Sequence, residues 1–100
     1  MASDMLPSRR AWRLLWVLQG HAFDGLRLAQ VAKALDCSPT VALRLLETAA
    51  DEGVAERIAG REDRWRLTPK LTQTAFAHQA DVERARARLA EMGQRFTRTI

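Results

Sequence analysis

Two apolar stripes, on helices separated by a turn of about three residues, constrain this chain more than anything else in it. Leu28, Val31, Ala32 and Leu35 recur at i, i+3, i+4 and i+7, and Ala42, Leu45, Leu46 and Ala49 repeat that spacing. Each stripe is the mark of a helix buried on one side. Between them lies Asp36-Cys37-Ser38, followed by Pro39. Ser38 suits an N-cap, and Pro39 falls at the first helical position, where its missing N–H costs little. Asp36 stands where a tight turn needs a left-handed backbone, which Asp tolerates better than most residues. Two one-sided helices around so short a turn form a helix-turn-helix. Ala32 is small where the helices cross, Cys37 reads as a packing residue of the turn, and Gly53 ends the second helix.

The flanking chain supplies the rest of a domain. Pro7-Ser8 opens a helical pattern to Gly20, with Ser8 as expected N-cap, Trp12, Leu15, Trp16 and Leu18 on its apolar side, and Arg9, Arg10 and Arg13 facing solvent. His21 to Gly25 reads as a loop. Two β-like runs, 54–58 and 64–67, joined through residues 59–63, predict a hairpin with Trp65 and Leu67 on one face and Arg64 and Arg66 on the other. The faces of Ala55 and Glu56 stay open. From Thr68-Pro69 onward, Leu71, Ala75, His78, Val82, Ala85, Leu89, Met92 and Phe96 recur at alternating steps of 4 and 3. That heptad seam predicts a helix packed on another helix, either the Trp12/Trp16 helix or the same element of a second copy. The expected fold is mainly α with a small β-hairpin: a flexible N-terminus over residues 1–7, a helix-turn-helix domain over 8–69 and a C-terminal heptad helix over 70–100. The expected dimer interface is the seam together with Trp12 and Trp16.

Composition narrows the function. One hundred residues make one domain, and a domain that small gains core by pairing. Of the 16 cations, 14 are arginine, against 12 carboxylates. Arg's planar fork suits phosphates and guanine edges, although the 17 alanines make an Arg- and Ala-rich codon bias an equal explanation. A single cysteine rules out an internal disulfide framework. With no apolar run of membrane-spanning length and no secretory signal at the start, a cytoplasmic location is expected and no membrane partner. His21 and His78 stand far apart, and no nucleophile–base set, phosphate loop or ligand-spaced Cys/His pair accompanies them. The sequence therefore predicts no enzyme, no cofactor and no metal.

The second helix carries a readable outer side. Thr40, Leu43, Arg44 and Glu47 lie opposite its buried stripe, just after Ser38 and Pro39 at the helix N-terminus. Arg suits guanine O6/N7 or a phosphate, Leu a thymine methyl, and Thr a phosphate or base edge. An ordinary solvated face is the plainer alternative.

The segment Gly25-Leu26-Arg27-Leu28-Ala29-Gln30-Val31-Ala32-Lys33-Ala34-Leu35-Asp36-Cys37-Ser38-Pro39-Thr40-Val41-Ala42-Leu43-Arg44-Leu45-Leu46 resembles the winged helix-turn-helix of IclR-type bacterial transcription regulators. Glu52-Gly53-Val54-Ala55-Glu56-Arg57 and Trp65-Arg66-Leu67-Thr68-Pro69-Lys70-Leu71 resemble that family's wing strands and linker helix. The resemblance implies a recognition helix over residues 39–52 and a wing tip from Gly60 to Asp63, with Arg61 or Arg64 at a minor groove or its phosphates. Two features depart from the family pattern. The family's large effector-binding domain has no counterpart after the long helix, so no small-molecule effector is expected. Val41 and Leu43 stand where family members often carry a polar pair.

The expected function is a dimeric, sequence-specific regulator, of a size that suits a repressor, reading a palindromic site in double-stranded DNA. Its DNA contacts would come from Ser38, Pro39, Thr40, Leu43, Arg44, Glu47, Arg61 and Arg64. The competing expectation is a winged-helix module that docks an acidic protein through Arg84, Arg86, Arg88, Arg95 and Arg98. Asp81, Glu83 and Glu91 interleave with those arginines, which favours a solvated face instead.

Overall fold

A computed structural model describes residues 6–98, so most of the segment expected to be loose, residues 1–5, lies outside the described residues. The chain divides into two compact units, one reaching Lys70 and the other beginning at Leu71.

In the first unit, α1 (Pro7–Leu18), β1 (Leu26–Arg27), α2 (Leu28–Leu35), α3 (Pro39–Asp51), β2 (Ala55–Ile58) and β3 (Arg61–Leu67) follow in order. The strands form one antiparallel sheet ordered β1-β3-β2, with Leu26 opposite Trp65 and Ala55 opposite Leu67. Three helices against a sheet whose β2–β3 hairpin projects as a wing constitute a winged helix-turn-helix. The core gathers the expected stripes: Val31, Ala32 and Leu35 from α2, Ala42 and Leu46 from α3, with Leu14, Leu18, Ala55 and Trp65. Leu28, Leu45 and Ala49 reach it only in part.

Three expectations need correction. In α1 the buried side chains are Leu14 and Leu18, whereas Trp12 and Trp16 are 68% and 69% exposed. That helix is apolar on two sides, and packing on α2 and the sheet selects the leucines, which lie across the helix from the tryptophans. Its N-cap is Leu6, not Ser8, because Pro7 already takes the first helical position and no side chain caps the end. The loop at 21–25 stands as expected, and a strand, β1, too short to leave an alternating pattern, follows it before α2. The hairpin turn is shorter than residues 59–63: Glu62 and Asp63 belong to β3, and Ala59-Gly60 alone connect the strands, with Gly60 at φ 81. A register shift between Arg57 and Ile58 explains the irregular alternation of β2 and puts both Ala55 and Ile58 in the interior.

Gly25 is required where it stands. Its φ is +68, and a Cβ there would come within 2.7 Å of the Trp65 carbonyl oxygen and 2.8 Å of Ile58 Cδ1.

The second unit continues α4 (Pro69–Arg98), a single helix of 30 residues with no buried residue. Leu71 and Val82 are half-buried, and the other seam residues are exposed.

Candidate nucleic-acid interface

The turn between α2 and α3 aims the candidate surface. Asp36 takes the left-handed conformation expected of it, φ 54 and ψ 51, and its N–H bonds back to the carbonyls of Ala32 and Lys33. Cys37 N–H donates to the Ala32 carbonyl at 3.0 Å. Ser38 Oγ accepts from Val41 N–H at 3.2 Å, the N-cap that its position predicts. The start of α2 is fastened in the same way, Arg27 N–H donating to Gln30 Oε1 at 2.8 Å. With both ends of the turn tied down, α3 leaves the core at a fixed angle.

Along α3, Pro39, Thr40, Arg44 and Glu47 are exposed, and the Arg44 guanidinium has no ion-pair partner among the described residues. Ser38 is exposed as well, though its hydroxyl is engaged as the cap. Leu43 differs from expectation: it is half-buried and packs against the core. It sits at the border of the buried stripe, 100° from Ala42 around the helix, where a long side chain folds inward. The presented set is thus Thr40, Arg44 and Glu47 at the helix start, where Pro39 has no N–H, the Ser38 cap takes Val41 N–H, and the helix dipole favours an anion.

The wing is held differently. Arg61 lies 3.8 Å from Asp24, and Arg64 Nη1 donates to the Asp24 carbonyl at 3.3 Å. Arg66 donates to Ala22 O at 3.3 Å and pairs with Glu56 at 2.9 Å. Arg27 pairs with Asp63 at 3.4 Å, and the Arg57 guanidinium stacks 4.3 Å from the Trp65 ring centroid. Arg61 is exposed and Arg64 half-buried. The two wing arginines singled out in the sequence therefore converge on Asp24 of the 22–24 loop. Sequence reasoning missed Asp24, Arg27 and Asp63 as members of this cluster. The signal lies in strand pairing across some 40 residues, which no local pattern encodes.

Trp12 rims an apolar recess of about 200 Å³ between α1 and α3, lined also by Leu15, Leu45, Ala49 and Val54. His21 and Cys37 join no cluster: among the described residues no three of His, Cys, Asp or Glu gather as a metal site would require. No helix among the described residues is long and apolar enough to cross a membrane.

No protein-family model matches the chain, and no curated protein does. Among solved structures, a glutamate-to-alanine mutant of ZitR from Lactococcus lactis is similar over 95% of this chain, at 21% identity and a TM-score of 0.49. The chain spans 65% of the length of that one.

Proposed function

We propose that the chain is a cytoplasmic, sequence-specific regulator of transcription, related to the IclR-type winged helix-turn-helix proteins and active as a homodimer on a palindromic duplex site. The recognition helix α3 enters the major groove and the wing, residues 59–64, approaches the minor groove. The observation that carries this reading is the exposed N-terminal half of α3. Thr40, Arg44 and Glu47 stand on one side of a helix whose other side is locked into the core, and Arg44 is free to reach a guanine edge or a phosphate. The reading is of a binding protein and includes no catalysis, cofactor or small-molecule effector.

Selection of bound fragments from a pool of random duplexes tests it. Enrichment of two inverted half-sites, centred about 10 bp apart or a multiple of that, is expected. Absence of retained DNA even at low salt overturns it. The alternative, docking on an acidic protein through α4, is disfavoured by Arg84 and Arg86, which already bond Asp81 and Glu83 on their own helix.

A further inference from the structure

The seam of α4 is largely exposed, and its residues differ greatly in size from one turn to the next. We infer that α4 pairs with α4 of a second copy in antiparallel orientation, in the register that sets Val82 opposite the partner's Ala85. This rests on the dimeric reading above and specifies its geometry.

Three observations lead to it. The first is exposure: Leu89 and Phe96 are 68% and 69% exposed and Met92 50%, so the large seam residues need cover. The second is size. In the antiparallel register every layer combines two different positions. Ala75 meets Met92 and Val82 meets Ala85, each small residue against a larger one. Leu71 then meets Phe96, and His78 meets Leu89. Pairing in the same direction would set Phe96 on Phe96 and Met92 on Met92 while leaving Ala75 and Ala85 each facing only itself. Two straight helices cannot close on layers so unequal without voids. It would also set His78 against its own copy.

Charge is the third. Between residues 71 and 83 the helix carries two carboxylates, Asp81 and Glu83, and no cation. Between 84 and 98 it carries five arginines and one carboxylate, Glu91. Same-direction pairing lays one arginine-rich half on the other, whereas antiparallel pairing lays it on the acidic half and opposes the two helix dipoles. Beside the seam, Asp81, which also bonds Arg84 on its own helix, comes next to Arg88 of the second copy. The N-terminal ends of the two α4 seams then lie about 38 Å apart, 25 residues along the rod.

Spin-label distances in the full chain test the orientation. In a Cys37→Ser background, nitroxides are attached at Gln73→Cys in one variant and at Ala80→Cys in another, both on the side of α4 away from the seam. Antiparallel pairing offsets the two Gln73 labels by about 31 Å along the rod and the two Ala80 labels by only about 10 Å. The Gln73 separation is therefore expected to exceed the Ala80 separation by more than about 10 Å. Equal separations at both sites overturn the orientation and leave the dimer standing. A monomeric mass in sedimentation, with no dipolar signal from either variant, overturns the pairing and the dimeric reading together, while DNA retention is scored separately. As a second measurement, Leu71→Cys chains mixed with Phe96→Cys chains in that background should oxidise to the mixed disulfide. Leu71–Leu71 disulfides alone overturn the proposal.

Discussion

Asp36 is the one described residue other than glycine with a positive φ, and its strain is stored where α3 takes its direction. Glycine there removes the Cβ conflict but frees the unfolded chain, so Asp36→Gly should stabilise by only about 0.5–1 kcal/mol. A β-branched Asp36→Val should destabilise by at least about 1–2 kcal/mol. Urea midpoints measure both, and a stabilised Val variant would contradict the assigned turn. Leu46, fully buried on the other side of the same helix, should cost about 2–5 kcal/mol on truncation to Ala. Arg44 belongs to function rather than folding. Arg44→Ala should leave the urea midpoint in place, weaken DNA binding by about 1–3 kcal/mol and relax preference at one base pair. A loss equal for every sequence would reassign it to a phosphate. Asp36, Ser38 and Pro39 were legible in the sequence because each acts on its own backbone within three or four residues. The half-buried position of Leu43 was not, because a residue at the border of a stripe is turned in or out by its neighbours in space.

At the scale of elements, the wing and the 22–24 loop form one assembly, because Arg61 and Arg64 both fasten to Asp24 and Arg66 to Ala22. An exposed ion pair of this kind is worth at most about 1 kcal/mol, so a duplex phosphate can displace the Asp24 carboxylate from Arg61. Asp24→Asn should accordingly raise DNA affinity, by up to about fivefold at low salt. Arg61→Ala should lower the slope of log affinity against log salt by about 1. Titrations at several salt concentrations check both, and an unchanged slope would remove Arg61 from the groove. The helices, the turn and the hairpin could be read from periodicity. What could not be read was β1, the short turn, and which apolar side of α1 faces inward. Each of these depends on a partner strand or helix distant in sequence: Leu26 opposite Trp65, Arg27 near Asp63, Leu14 and Leu18 against the shared core.

For the molecule as a whole, the contrast between the two units decides how it behaves. The first has a closed interior around Trp65, and the second buries nothing of its own. A helix of that kind, alone in water, is held only by local propensity and a few same-helix ion pairs, each worth a few tenths of a kcal/mol. Dilution should therefore act on α4 as a denaturant acts on other proteins, since association is what completes it. Ellipticity at 222 nm per residue should fall as the protein is diluted a hundredfold through the dissociation range, while the fluorescence of buried Trp65, read in a Trp12→Phe/Trp16→Phe background, stays put. A signal independent of concentration would mean that α4 sustains itself. If it does not, the number of copies present sets the shape of each copy, and the final third of the chain reports its own abundance.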